Sequence, residues 1–152
     1  MTEIRDLLSF KLHRVANLLS RSAEMHYRRE FDVSLWEWRT IALLGAADHP
    51  VSLGHLAQAA AIDKGQMSRV VAGLTKKRIV VREAHPADGR GVHLTLSKTG
   101  QRIYQGLIRA ALERDETFRR CLSDREAQMF DKALGKIADE ARALIQMEKG
   151  RK

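Results

Sequence analysis

One segment of the sequence, residues 64–77, places long polar side chains and very small ones on the same side of a predicted helix. Its apolar residues are spaced i, i+3, i+4 and i+7, the pattern of a helix with one buried stripe: Met67, Val70, Val71 and Leu74. Successive helical residues rotate by about 100°. A different set therefore lies opposite that stripe and along its borders: Lys64, Gly65, Gln66, Ser68, Arg69, Ala72, Gly73 and Lys76.

These residue types fit contact with DNA. An arginine can form two hydrogen bonds with guanine and a glutamine can do so with adenine, each worth about 1–3 kcal/mol of discrimination. Small residues allow close approach of the backbone, and N–H groups at a helix N-terminus can bind a phosphate. The candidate DNA-binding residues of this helix are Lys64, Gly65, Gln66, Ser68, Arg69, Gly73 and Lys76. The alternative interpretation is an ordinary solvated helix face.

A predicted turn supplies one further candidate. Asp88, Gly89 and Arg90 lie between two segments of alternating apolar residues, and Asp-Gly is a strong hairpin signal. Arg90 at the tip of such a turn could enter a narrow A·T-rich minor groove, where the negative potential is enhanced. Asp88 would repel phosphate, so we expect it to fix the turn and orient Arg90. The alternative is that Arg90 is a plain exposed turn residue.

The elements that must position these residues are read from periodicity and from N-cap signals at Ser34, Ser52, Asp63 and Ser123. Helical spacing predicts helices over Ile4 to Arg29, Leu35 to about Ala47, a short stretch after Ser52, and Lys64 to Lys77. Strands are expected over 79–84 and 92–96, paired as a hairpin, followed by helices over 98–120 and after Ser123. The predicted fold is mainly α: about six helices and a small β-hairpin, a winged helix-turn-helix.

Composition favours a negatively charged partner. Lys and Arg number 27 against 19 Asp and Glu in 152 residues, a formal net charge of +8. This excess favours nucleic acid or an anionic membrane surface, although a basic but otherwise ordinary protein has the same composition. We expect no signal peptide, because residues 1–10 lack a basic region followed by an apolar run. No apolar stretch approaches the ~20 residues of a membrane span.

Catalytic, metal and redox chemistry is not indicated. The chain has no G-x-S-x-G, P-loop or G-x-G-x-x-G motif, so we expect it not to be an enzyme. Its six histidines are scattered and none pairs with Cys121, so we expect no metal and no cofactor. Cys121 is the one cysteine, so no intramolecular disulfide is possible. This agrees with the expected location in the reducing cytoplasm. Arg119 and Arg120 beside it leave a redox role open, but an incidental cysteine is favoured.

A candidate ligand pocket is suggested by two tryptophans and nearby polar groups. Small-molecule pockets are mostly apolar with a few convergent polar groups, and an arginine there would favour a carboxylate. The candidate ligand-binding residues are His13, Arg14, Asn17, Trp36, Trp38 and Arg39. The alternative is that Trp38 belongs to the core and Trp36 to a partly exposed interface.

Several motifs resemble those of the MarR-type winged helix-turn-helix transcriptional regulators. The similar segments are Ser52–Ala57, Asp63–Leu74, Lys77–Arg82, Leu94–Gly100 and Leu35–Arg39, and Asp88 with Arg90 matches the family's D-x-R wing. The similarity covers nearly the whole chain, being specific in the centre and architectural in the terminal helices. Two positions depart from the family pattern: Gly89 where arginine is often found, and Gly65 where serine or threonine is common.

The resemblance implies a homodimer on a pseudo-palindromic double-stranded DNA site, with recognition helices in successive major grooves and wings in the minor grooves. It implies a repressor released by a small, often aromatic, acid. The implied organisation is a helical dimerisation region over 1–33 and 98–148, a DNA-binding region over 34–97, and a tail over 149–152. Two half-sites one helical turn apart, ~34–36 Å, would double the specific contacts, which independently favours a dimer.

Two other functions are compatible with parts of this pattern. An interaction module that kept the fold and lost specific DNA binding would not need Arg69, Lys76 and Arg90 on the predicted contact surfaces. An RNA or nonspecific nucleic-acid binder would be expected to offer aromatic stacking platforms. Aromatic residues make up only 5% of the chain, and none lies on the helix over 64–77, so a DNA-binding regulator is the preferred interpretation.

Overall fold

A computed structural model describes residues 3–84 and 92–151 of the chain. In these residues a short 3-10 helix, Ile4–Asp6, precedes six α-helices and three strands. In chain order they are α1 (Leu8–Phe31), α2 (Leu35–Gly45), β1 (Val51–Ser52), α3 (Leu53–Ala59), α4 (Lys64–Lys76), β2 (Val80–Ala84), β3 (Val92–Leu96), α5 (Lys98–Arg119) and α6 (Asp124–Gly150). The predicted fold class is confirmed. No helix in the described ranges is both long and apolar enough to cross a membrane.

The N-terminal ends of four helices are fixed by side-chain caps that the sequence predicts. In each, a side-chain oxygen accepts a hydrogen bond from the backbone N–H three residues on, which satisfies a donor that the helix itself leaves free. The capping residues are Ser34, Ser52, Asp63 and Ser123. At α2 and α6 a glutamate completes the capping box by accepting from the backbone N–H of the serine.

The sheet has three antiparallel strands in the order β1-β3-β2, where the sequence predicts a two-stranded hairpin. β1 pairs Val51 with Leu94 and Ser52 with His93. With only two residues, β1 has no alternation that periodicity could detect. Its position in the sheet follows from Val51 of β1, whose side chain is buried and which pairs with Leu94 of β3.

The second strand begins at Val80, one residue later than predicted. The N–H of Ile79 donates to Leu74 O and the N–H of Arg78 to Thr75 O, the Schellman pattern at a helix end. Arg78 has φ 58° and is therefore left-handed. Ile79 therefore belongs to the C-terminal capping motif of α4, and strand pairing starts with Val80 opposite Leu96.

The core lies between α2, α3, α4, the inner face of the sheet and one turn of α5. Its fully buried large residues include Ile41, Leu56, Met67, Val71, Leu74, Leu94 and Leu107. Of the stripe predicted on α4, Val70 is only half-buried while the other three residues are buried. Thr40, buried within this core, donates to Trp36 O at 2.8 Å and places Oγ1 3.6 Å from Met67 Sδ.

The chain divides into two compact units, Met1–Arg109 and Ala110–Lys152. The first contains the sheet, α1 to α4 and the first part of α5. The second contains the end of α5 and all of α6, where Arg119 bonds to Asp115 at 2.7 Å and to Asp131 at 3.4 Å.

Candidate nucleic-acid interface

The exposed face of α4 contains the residues that the sequence singles out. Lys64, Gly65, Arg69, Ala72 and Lys76 are exposed, and the flanking residues Gln66, Ser68 and Gly73 are half-buried. All of them lie within one helix of 13 residues, about 20 Å long at a rise of 1.5 Å per residue. The helix therefore presents one continuous surface of cations and small residues to solvent.

The cations of this surface are not neutralised by neighbouring acids. In the described ranges, Lys64, Arg69 and Lys76 form no salt bridge. The one acidic residue at the start of the helix, Asp63, uses Oδ1 to cap the N–H of Gln66 at 2.8 Å. Three unpaired cations on one helix face give a local positive potential, which is what the polyanionic backbone of DNA requires.

Two glycines lie beside these cations. A Cβ built on Gly65 would lie 4.0 Å from Nη1 of Arg69, so the arginine side chain folds back over the first turn of α4. A Cβ on Gly54, in the first turn of α3, would lie 3.3 Å from Cε of Lys64. Lys64 therefore runs across the start of α3. Gly54 is not among the predicted contact residues; its one signal in the sequence is a glycine two positions after the N-cap Ser52.

Buried residues on the opposite side of α4 keep this face exposed to solvent. Met67, Val71 and Leu74 are fully buried on the opposite side. The turn between α3 and α4 contains Ala61 with φ 54°, a left-handed residue that reverses the chain direction. The N–H of Ile62 donates to Ala57 O at 3.1 Å. The two helices and this tight turn form a helix-turn-helix.

The described part of the wing consists of its two strands. Strands β2 and β3 pair from Val80 with Leu96 to Ala84 with Val92. The predicted contact residue Arg90 and the predicted turn residue Asp88 lie outside the described residues. Arg82 on β2 is exposed and lies opposite Leu94.

The six candidate ligand-binding residues are divided between two places. Trp38 and Arg39 line an open cavity of about 380 Å³ together with Ala42, Leu43, Ala59 and Ala60, between α2 and the end of α3. Trp36 lies under Arg39, whose guanidinium carbon is 4.8 Å from the ring centre, a cation–π distance. His13, Arg14 and Asn17 are exposed on α1 and do not line this cavity; His13 Nε2 and Asn17 Nδ2 are 2.9 Å apart.

Groups of metal-ligating side chains are absent from the described part of the chain: no three His, Cys, Asp or Glu residues come together there. Cys121 is exposed, and its Sγ donates to Phe118 O at 2.9 Å.

Residues 31–91, which include α2, α3 and α4, match the model of the MarR family. Over these residues the chain is similar to the MarR family. A relative of this segment is the HTH-type transcriptional regulator YxaD of Bacillus subtilis (strain 168), 30% identical over 88 residues. The match covers 58% of this chain and 62% of that relative, so it spans less than two thirds of the relative's length.

Solved structures share the MarR-type fold over most of the chain. A MarR/EmrR family transcriptional regulator from Acinetobacter sp. ADP1 superposes with a TM-score of 0.83 at 23% identity, covering 93% of this chain and 99% of that one. MepR of S. aureus in a complex with DNA gives 0.82 at 18%, covering 89% and 98%. FabT of Streptococcus pneumoniae with DNA gives 0.78 at 23%, covering 90% and 96%. The predicted fold is thereby confirmed, and the predicted resemblance to the MarR family is confirmed over residues 31–91.

Proposed function

We propose that this protein is a sequence-specific, dimeric DNA-binding transcription regulator, and that it acts as a repressor. The observation that carries the proposal is the exposed face of α4, where three cations that form no salt bridge within the described ranges lie among small residues. The proposed DNA contacts are Lys64, Gly65, Gln66, Ser68, Arg69, Gly73, Lys76 and Arg90. In this arrangement Arg69 and Gln66 read base edges, while Lys64 and Lys76 bind phosphates. Arg90, oriented by Asp88, enters the minor groove.

The resemblance to MepR and FabT supports the same mode of binding. Both proteins were solved with DNA, and their fold superposes on nearly all of this chain. The net charge of +8 adds the long-range attraction that brings a protein to DNA.

A second copy of the chain is the proposed partner of the terminal helices. Helix α1 exposes large apolar side chains, among them Leu8, Val15, Leu18, Leu19 and Met25, the last with 72% of its surface accessible. Helix α6 does the same with Met129, Phe130, Leu134, Leu144, Ile145 and Met147. Exposed apolar surface of this extent marks an interaction site, and a symmetric dimer would bury it. The dimer would also present two copies of α4 to two half-sites.

A small carboxylate is the proposed effector, bound between α2 and α3. Trp38, Ala42 and Leu43 give the cavity apolar walls, and Arg39 brings a cation to it. In the described ranges Arg39 forms no salt bridge, so an anionic ligand would not have to displace an acidic side chain. A flat aromatic acid fits both features: its ring packs against the apolar walls, and its carboxylate pairs with Arg39.

The decisive experiment is selection of genomic fragments with the purified protein at a fixed salt concentration, followed by titration of the selected duplex and of random DNA. Specific binding is expected to exceed nonspecific binding at least about 10³-fold. Equal affinity for both would favour the second candidate, an interaction module that retained the fold. Molar mass in solution is expected to be that of a dimer, and a stable monomer would contradict the architecture.

The effector is tested on the selected duplex with benzoate and its hydroxylated derivatives, with benzamide as the uncharged control. Benzoate-type acids are expected to release DNA, benzamide to have no effect, and Arg39→Gln to abolish the release. Arg14→Gln is the matched variant on α1, away from the cavity. If Arg14→Gln abolishes release and Arg39→Gln does not, the ligand binds at the α1 group instead.

A further inference from the structure

Lys77, the residue directly after α4, ties three helix ends together. Its Nζ donates to the backbone oxygen of Asp32 at 2.6 Å, at the C-terminal end of α1. The same ammonium lies 3.1 Å from Oε1 and 3.3 Å from Oε2 of Glu37, in the first turn of α2. One side chain thus connects the end of α4 to the junction between α1 and α2.

The partners of Lys77 are themselves held in place. Asp32 ends α1 with φ 52°, and its N–H bonds back to Arg28 O and Tyr27 O. Glu37 accepts from the backbone N–H of Ser34 at 2.7 Å as part of the capping box of α2. The next residue after Asp32, Val33, is 1% exposed. The acceptors that Lys77 meets therefore belong to a rigid junction.

Burial separates this contact from an ordinary surface ion pair. The Glu37 side chain is 14% exposed and that of Lys77 is 36% exposed, so solvent screens their interaction only in part. A Cβ on Gly73 would lie 3.7 Å from Glu37 Oε1, so the carboxylate also lies against the last turns of α4. The Asp32 carboxylate, 3.7 Å from Nζ and 96% exposed, adds little.

We infer that Lys77 is a positioning residue, which fixes the direction of α4 relative to α1 through Asp32 and Glu37. This inference rests on the proposed function, in which α4 reads DNA and α1 joins the two subunits. In that arrangement the direction of α4 relative to α1 determines the distance and the rotation between the two copies of α4. Lys77 therefore determines which spacing of half-sites the dimer accepts, without touching the DNA.

Adjacent lysines give a matched test. Lys77→Met and Lys76→Met remove the same charge one residue apart, and the probes are the selected duplex and versions with one base pair inserted or deleted between its half-sites. Lys76→Met is expected to weaken binding to all three duplexes by a similar factor and to reduce the salt dependence, as loss of a phosphate contact does. Lys77→Met is expected to lose affinity for the natural spacing by about tenfold and to flatten the preference among the three.

Two further variants keep the inference falsifiable if Lys77→Met does not fold. Lys77→Arg retains a cation that can donate to both acceptors, so it is expected to keep the wild-type spacing preference. Glu37→Gln removes the charge but leaves an oxygen for the Ser34 N–H, so it is expected to flatten the preference as Lys77→Met does. The loss in the double variant should not exceed that of Lys77→Met alone, because Glu37→Gln weakens a contact that Lys77→Met already removes.

The outcomes separate this inference from the proposed function. If the wild type shows no site-selective binding, the proposed function fails and the role of Lys77 falls with it. If the wild type binds selectively and both Lys77→Met and Glu37→Gln keep its spacing preference, only the inference about Lys77 is overturned. A uniform loss on all three duplexes with a reduced salt dependence would make Lys77 a direct phosphate contact.

Discussion

Gly100 lies directly against the backbone carbonyl of Ile79, where the first turn of α5 passes the start of the wing. A Cβ built on Gly100 would overlap that oxygen and would lie 3.1 Å from the carbonyl carbon. The same oxygen accepts a hydrogen bond from the N–H of Ser97 at 3.0 Å, and Ser97 Oγ donates to Arg78 O at 2.7 Å. The entry of α5 is therefore packed backbone against backbone.

Gly100→Ala is expected to destabilise the protein by about 1–3 kcal/mol, because neither backbone can withdraw without breaking these bonds. Gly135→Ala on α6 is the matched control, since a Cβ there meets nothing within 4 Å. Alanine is favoured over glycine by up to about 1 kcal/mol in a helix interior, so the control should be stabilised. The free energy of unfolding from denaturant titration measures both. Equal effects of the two changes would rule out the contact with Ile79.

Ala61→Gly is expected to stabilise the protein by about 0.5–1 kcal/mol. Ala61 has φ 54° in the turn between α3 and α4, a conformation that costs a residue with a Cβ about 1–2 kcal/mol and glycine almost nothing. Ala72→Gly, in the exposed middle of α4, should instead lose about 1 kcal/mol. Chemical unfolding of both variants gives the two signs, and a loss for both would show that the turn is not strained.

Arg69→Ala is expected to weaken binding to the selected site by about 1–3 kcal/mol and to relax base preference at one position of each half-site. The side chain is exposed on α4 and unpaired in the described ranges. Arg125→Ala, an exposed arginine on α6, is the control for the loss of one positive charge. Affinity is measured on the specific duplex, on single-base variants and on random DNA. An equal loss on all of them would leave Arg69 as a phosphate contact without a role in base reading.

Ser123→Ala is expected to raise the pKa of Glu126 toward the ordinary value of a glutamate. The hydroxyl and the backbone N–H of Ser123 donate to the Glu126 carboxylate at 2.7 and 2.9 Å and hold its pKa below that value. A lowered folded-state pKa stabilises the protein above the unfolded-state pKa, and this contribution is lost as the pH falls through the folded-state value. NMR titration of the side-chain carboxyls measures the shift.

Glu30 is the internal control for that titration. The hydrogen bond and charge of Arg29 lower the pKa of Glu30, and Ser123 takes no part in that pair. Its pKa should be the same in the wild type and in Ser123→Ala. A pKa of Glu126 that does not change on loss of the hydroxyl would contradict the capping box at the start of α6.

The sequence by itself determined the features that depend on near neighbours. Ser34, Ser52, Asp63 and Ser123 act as N-caps because each bonds a group three residues away, and this spacing is legible in the chain. The buried and exposed faces of α4 follow from a fixed rotation per residue, which is why Lys64, Arg69 and Lys76 could be placed on one surface.

Only the tertiary structure decided the features that join distant segments. Strand β1 is two residues long and has no periodicity; it exists because Val51 is buried beside Leu94, 43 positions further along the chain. Trp38 and Arg39 line one cavity while His13 and Asn17 lie apart on α1, a division that depends on how helices pack. Lys77 reaches Asp32 and Glu37 across 45 and 40 positions. Contacts of this kind depend on chain reversals and packing, which a local pattern does not encode.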